Sequence, residues 1–178
     1  IAPGVVESNL TLNDSTGENP NKAYVFHVEK GTENAYTMAS YKGLDGRSGG
    51  AQTMSAQAAY AEESLGVNVV GAINVNRRSD SDEPMGMLII NGDVQHTEIC
   101  SYAYFVQNTD GTYELREGTD PLTGSEQNAV TFGDWLVKDG VNQYSEDYSQ
   151  DNRAPRTAIG LKADGSLAAI SEKWFGSD

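Results

Sequence analysis

Four polar residues close together in the chain have types and positions that suggest ligand binding: Asn74, Asn76, Arg77 and Arg78. They follow the apolar run 67–73, which comes directly after a predicted helix and is itself predicted to be a buried central strand. In α/β arrangements, ligands bind at the carboxyl ends of such strands. The amide and guanidinium groups that follow this run are hydrogen-bond donors. The sequence therefore predicts a binding site at the end of the strand.

Two aspartates in the next loop offer oxygen ligands. Asp80 and Asp82 alternate with other residues as at the start of a calcium loop, and Ca²⁺ prefers oxygen ligands. The segment lacks the glycine at position six and the glutamate at position twelve of such a loop. Ca²⁺ is the cofactor that this pattern suggests. A solvated acidic turn over Asp80, Asp82 and Glu83 is the alternative.

The single cysteine does not form a catalytic pair with a histidine. His96 precedes Cys100 by four residues, which on a strand separates the two side chains by about 13 Å. Because Cys100 is the only cysteine, the chain forms no internal disulfide.

The charge of the chain excludes a large class of partners. Lys and Arg number 12 against 26 Asp and Glu, so the formal net charge is −14. Nucleic-acid binding requires a basic face, whereas the only basic pair, Arg77-Arg78, is followed at once by acidic residues. No apolar run approaches the ~20 residues that cross a bilayer. We therefore expect neither nucleic-acid binding nor membrane insertion.

The length of 178 residues is typical of one domain, here taken as residues 1–178. The chain begins with Ile1, so we expect a processed product from which an export signal has been removed. Residues 1–20 are predicted to form an edge strand followed by an exposed loop, because an alternating segment precedes a run of small polar residues.

The clearest predicted element is a helix over residues 53–65. Apolar side chains recur there at helical spacing, and capping residues flank the segment. The stripe consists of Met54, Ala58, Ala61 and Leu65, with Thr53 or Ser55 as N-cap and Gly66 after the last turn.

The remainder of the chain is predicted to consist largely of β-hairpins. Asn91-Gly92, Asp110-Gly111 and Asp164-Gly165 each separate two apolar segments, a pattern that favours two-residue type I′ turns. One helix with about nine strands predicts an α+β fold, in which a mixed or antiparallel sheet rich in hairpins packs on one main helix.

Five segments, in this order along the chain, resemble the phosphodiester glycosidase family. They are residues 1–5, 66–74, 83–92, 136–140 and 155–165. Asn74 matches the first residue of the family's motif after the helix, and residues 155–157 keep its Pro-Arg-Thr segment. The resemblance extends over roughly the N-terminal two thirds of the family domain. A later Asp-Gly-Gly-Gly-Ser loop of the family does not occur in this sequence.

The resemblance implies an activity and a set of site residues. The family's reaction is glycosidic cleavage of a sugar-1-phosphodiester, and its bacterial members are secreted or lie on the cell surface. Arg156 would grip the phosphate bidentately, while Asn74 and Thr157 would donate hydrogen bonds to phosphate or sugar. These three residues are the predicted catalytic residues. Asn76, Arg77 and Arg78 are predicted to contact substrate.

Departures from the family's pattern leave alternatives open. Arg77 and Arg78 stand where the family has aromatic residues, and the sequence nominates no pair of carboxyl groups of the kind that glycosidases ordinarily use. The alternative to an enzyme is an inactive or split copy of the family domain. Such a copy would serve as a glycan-binding, cell-wall-binding or structural surface module. A second chain or segment would complete the sheet at an unpaired strand edge near residues 167–170.

Overall fold

The computed structural model describes residues 3–12, 21–31, 53–75, 84–143 and 156–173. Within these ranges the chain forms eleven strands and one helix. In chain order they are β1 (Val5–Leu12), β2 (Asn21–Val28), α1 (Met54–Leu65), β3 (Leu88–Ile90), β4 (Asp93–His96), β5 (Tyr104–Asn108), β6 (Tyr113–Arg116), β7 (Glu126–Thr131), β8 (Val137–Lys138), β9 (Val141–Asn142), β10 (Thr157–Leu161) and β11 (Leu167–Lys173).

The described strands form three antiparallel sheets. A four-stranded sheet has the order β1-β2-β11-β10, and a five-stranded sheet has the order β4-β3-β7-β5-β6. The hairpin β8–β9 stands by itself. The predicted α+β class, with antiparallel sheets and one helix, is confirmed.

The main core draws side chains from both large sheets. Leu88, Phe105 and Val130 of the five-stranded sheet cluster with Leu167 of the four-stranded sheet. Partly buried residues that pack against this cluster include Val28, Ile159, Leu161 and Val75. Because residues alternate between the faces of a strand, these contacts define one face of the four-stranded sheet, called here the inner face.

The helix has the predicted bounds and caps. Thr53 is the N-cap, and its hydroxyl accepts a hydrogen bond of 3.2 Å from the Ala56 amide. Gly66 ends the helix in the left-handed region, with φ of 65°. Among the side chains of residues 54–63, Ala61 is the one buried hydrophobic side chain. The extensive contacts between described elements join strands to strands, so α1 adds little to the described core.

Replacement of Thr53 by alanine is expected to lower the free energy of unfolding by about 1 kcal/mol, because the Ala56 amide loses its acceptor. The variant Thr53→Ser is the control, since serine keeps a hydroxyl at the N-cap position. Urea denaturation followed by circular dichroism measures both variants. Equal losses in the two would contradict the role of Thr53 as N-cap.

The apolar run 67–73 is not the buried central strand that the sequence predicts. It belongs to no sheet among the described residues, and its side chains alternate between half-buried and exposed over much of its length. Gly71 lies against Phe26 of β2, so closely that an added Cβ would come within 3.0 Å of the ring. The run therefore crosses the face of a sheet without joining its ladder, which accounts for burial on one side alone.

The asparagine turn forms as predicted. Asn91 and Gly92 have φ of 52° and 83°, and they join β3 to β4 in a type I′ turn. Asp139 and Gly140, with φ of 53° and 76°, form the same turn between β8 and β9.

The turns at Asp110-Gly111 and Asp164-Gly165 are not the predicted type I′ turns. In each, only the glycine has a positive φ, which gives a type I turn followed by a glycine bulge. A hydroxyl residue follows both glycines. The Asp164 carboxylate accepts hydrogen bonds from the Ser166 amide (2.8 Å) and hydroxyl (2.6 Å), and Asp110 accepts from Thr112 in the same way. These side-chain bonds favour the longer turn.

The prediction of an unpaired strand edge near residues 167–170 is also wrong. That segment belongs to β11, which pairs with β2 on one side and with β10 on the other. Leu167 and Ala169 are buried. The edges of this sheet are β1 and β10, because β10 and β11 form a hairpin whose second strand inserts beside β2.

Candidate functional site

Three of the predicted site residues lie in the described part of the chain. Asn74 is exposed at the end of the segment that follows α1, Arg156 is exposed immediately before β10, and Thr157 is the first residue of β10 and half-buried. The other five lie outside the described residues. These are Asn76, Arg77, Arg78, Asp80 and Asp82.

Thr157 belongs to the inner face of the four-stranded sheet. It precedes Ile159 and Leu161 at alternate positions of β10, and both of these pack against the main core. Side chains at such positions share a face. Thr157 therefore stands on the core-facing side, at the end of the sheet where the apolar side chains of β10 stop.

The segment that carries Asn74 crosses this same face. Gly71 approaches the Phe26 ring, and Phe26 is in register with Ala169. At the other end of the segment Val75 packs against the main core. The fold thus brings residues 71–75 over the sheet that carries Thr157, although the two lie far apart in the sequence.

A row of polar residues continues from Thr157 across the sheet. Thr157 pairs with Ser171, Ser171 with Tyr24, and Tyr24 with Asn9. Residues directly opposite one another share a face, so all four belong to the inner face. We call Thr157, Ser171 and Tyr24 the hydroxyl row; each is half-buried.

Arg156 is the chain neighbour of Thr157, the first residue of the hydroxyl row, and lies just outside β10. It is exposed, and it immediately precedes the first residue of β10. Lys22 lies on the inner face one row beyond Tyr24, in register with Thr11 of β1. Lys22 on the inner face and Arg156 just outside β10 are thus two cationic residues near the row, in a chain whose net charge is −14.

The described residues show neither a carboxyl pair nor a metal centre in this region. Glu7 is the only carboxylate on the inner face of the described four-stranded sheet. No group of three or more His, Cys, Asp or Glu residues is placed to hold a metal ion in the described ranges. The calcium loop proposed at Asp80 and Asp82 falls in the undescribed range 76–83.

A second polar cluster, on the five-stranded sheet, is structural. Arg116 donates to Glu126 at 2.5 Å and to Glu114 at 2.7 Å. Glu126 also accepts from the amides of Thr123 and Gly124, each at 2.8 Å. Burial alone would raise the pKa of Glu126, but these hydrogen bonds outweigh it and lower the pKa to about 2. The carboxylate is fully engaged and is not available to a ligand.

Comparison with protein families matches residues 67–171 to the phosphodiester glycosidase family. The chain belongs to the phosphodiester glycosidase family. The match covers more than half of the sequence and includes Asn74, Arg156 and Thr157. It confirms the resemblance found in the sequence. The search of curated proteins returned no match.

Tyr24 and Ser171 are the two members of the hydroxyl row that the sequence did not point to. Ser171 is the last residue of the matched range, and Tyr24 lies outside it. Tyr24 sits in an alternating aromatic segment that predicts only a buried strand. Their position beside Thr157 depends on the register of three strands, which no local pattern specifies.

No helix in the described ranges is both long enough and apolar enough to cross a membrane.

Proposed function

We propose that this chain binds a phosphate-linked sugar at the end of the inner face and cleaves its glycosidic bond. One observation supports the proposal: the segment before Asn74 crosses the inner face of the sheet to which β10 belongs, and this segment and β10 both lie within the range matched to the family. A sugar-1-phosphodiester is the substrate class. The proposed products are the free sugar and a phosphate monoester.

The proposed chemistry follows from the charge that develops on the leaving group. When the bond between the anomeric carbon and its oxygen breaks, that oxygen leaves with the phosphate and water supplies the hydroxyl of the sugar. Arg156 would neutralise the phosphate with its planar guanidinium. Thr157 and Asn74 would hydrogen-bond to phosphate or sugar, and Asn74 is exposed.

The remaining predicted features form part of the same proposal. Asn76, Arg77 and Arg78 would extend the substrate-binding surface beyond Asn74, and Asp80 and Asp82 would hold Ca²⁺. The protein would act outside the cell or on a bacterial cell surface, where cell-wall glycans and other phosphate-linked sugars occur. A second chain or segment would pair with an edge strand of the four-stranded sheet, β1 or β10.

Glycan binding without catalysis is the second candidate function. The observation that favours it concerns the carboxylates of the inner face. Among the described residues of that face, Glu7 is the only one that carries a carboxylate. Glycosidases ordinarily require two carboxyl groups about 5–10 Å apart. An inactive copy would keep the phosphate and sugar contacts and serve as a cell-wall-binding or structural module.

An assay for released sugar separates the two functions. The chain is incubated with an N-acetylglucosamine phosphodiester, and free N-acetylglucosamine is measured over time. We expect release that is proportional to the amount of protein. Circular dichroism confirms folding in the same samples. A folded chain that releases no sugar at high protein concentration would contradict catalysis and leave the binding function.

A further inference from the structure

We infer that the hydroxyl row of Thr157, Ser171 and Tyr24 is a subsite for the sugar of the bound ligand. The inference rests on the proposed function, because it takes Arg156 as the phosphate-binding residue beside the row. It adds Tyr24 and Ser171 as residues that determine affinity for the sugar.

The register of the sheet supports the first step. Three adjacent strands, β10, β11 and β2, each contribute one residue to the row, and each pair is directly opposed. Neighbouring strands are about 4.8 Å apart, so the three positions span about 10 Å. They form a continuous line of hydroxyl-bearing residues that begins next to Arg156.

The second step concerns what lies beside the row. The next row of the same face holds Ile159, Ala169 and Phe26, in register with one another. Gly71 covers Phe26, and Ile159 packs against the main core. The hydroxyl row therefore marks the place where the apolar inner face gives way to polar side chains, a combination that small-molecule sites share.

The third step concerns hydrogen bonding. Thr157, Ser171 and Tyr24 are half-buried residues, and their hydroxyls make no hydrogen bond to another described residue. The hydroxyls of Ser166 and Thr131, by comparison, are bonded to Asp164 and Met87. Polar groups shielded from water usually have a partner. A ligand rich in hydroxyl groups would supply three partners at once.

The chemistry of the row selects the sugar part of the ligand. Hydroxyl groups both donate and accept hydrogen bonds, as the hydroxyls of a sugar do. They carry no charge, whereas Arg156 and Lys22 near the row are cationic. This arrangement fits a ligand whose phosphate lies at the end of the sheet and whose sugar lies across the row.

Calorimetry with two ligands tests the subsite. The wild-type chain is titrated with N-acetylglucosamine 1-phosphate and with inorganic phosphate, and we expect tighter binding of the sugar phosphate. The double variant Tyr24→Phe/Ser171→Ala removes two hydroxyls. We expect it to weaken sugar-phosphate binding about tenfold, since two hydrogen bonds of about 0.7 kcal/mol each contribute about 1.4 kcal/mol. Affinity for inorganic phosphate should not change.

The matched control is Tyr60→Phe/Ser8→Ala. Tyr60 lies on α1. Ser8 lies on β1, at a position that faces away from the inner face. Both residues are exposed. Unfolding curves of all variants establish that they fold. The control should bind both ligands like the wild type.

The outcomes separate the subsite from the proposed function. Equal sugar-phosphate affinities in the wild type and in the hydroxyl-row variant would overturn the subsite, as would no binding of sugar phosphate to the wild type. Weaker binding of both ligands by the hydroxyl-row variant would also overturn it. A tenfold loss for the sugar phosphate alone, in a chain that releases no sugar from a diester, would support the subsite and contradict catalysis.

Discussion

Replacement of Arg156 by alanine is expected to weaken sugar-phosphate binding about 30-fold. The reason is the removal of a charge-assisted, bidentate interaction, which is worth about 2 kcal/mol. If the chain cleaves the diester, kcat/KM should fall further, by about 100-fold, because the guanidinium also neutralises charge that develops on the leaving phosphate. Calorimetry and the sugar-release assay measure the two effects.

Two further variants identify the origin of the Arg156 effect. Arg156→Lys keeps the charge but not the fork of donors, so it should recover only part of the affinity. Lys30→Ala removes an exposed cation near Gly165, at the opposite end of the β10–β11 hairpin, and should leave binding unchanged. Because Arg156 is exposed, added salt should narrow the difference between wild type and Arg156→Ala. Equal losses in Arg156→Ala and Lys30→Ala would contradict a specific phosphate contact.

The largest effect on stability is expected at Glu126. Its side chain is 3% exposed and that of Arg116 is 10% exposed. Replacement of Glu126 by glutamine should lower the free energy of unfolding by about 3 kcal/mol, because the buried guanidinium loses an anionic partner. The glutamine amide also has only one oxygen that can accept hydrogen bonds, whereas both oxygens of the carboxylate accept them. Urea denaturation of wild type and variant measures the loss.

Glu114→Gln provides the matched control for Glu126→Gln. Glu114 contacts the same arginine, but its side chain is 44% exposed. At an exposed position water can take the place of the carboxylate as a partner of the guanidinium, so stability should fall by only about 1 kcal/mol. A decrease at Glu114 as large as that at Glu126 would contradict the dominant role of the buried pair.

The acid stability of the chain should depend on the same carboxylate. Its pKa is about 2 in the folded chain, against an ordinary value of 4.5. A group whose pKa is lowered by folding stabilises the fold above its ordinary pKa, and this contribution disappears as the pH falls towards the folded value. Between pH 5 and pH 2, stability should therefore fall more steeply in the wild type than in Glu126→Gln. Parallel curves for the two would contradict this assignment.

Local chemistry was sufficient to predict several elements. The helix forms where Thr53 and Gly66 cap an alanine-rich stretch, and Asn91-Gly92 forms its hairpin turn. Each depends on residues within a few positions of one another. Family membership was likewise visible in the order of short segments, among them the Pro-Arg-Thr segment before β10.

Predictions failed where a contact distant in the sequence decided the outcome. An apolar run such as residues 67–73 can pair in a sheet or lie across one, and its composition is the same in both cases. The approach of Gly71 to Phe26 decided between them. The edge predicted at residues 167–170 lies inside the sheet, because β11 pairs with β2 from the other end of the chain.

The sequence by itself thus determined the family, the helix, the turn at Asn91-Gly92 and the candidate phosphate-binding residue Arg156. Only the tertiary structure placed Tyr24 and Ser171 beside Thr157. The physical reason is that strand register is set by the whole hydrophobic pattern of a sheet, and a shift of one residue would turn all of these side chains to the opposite face.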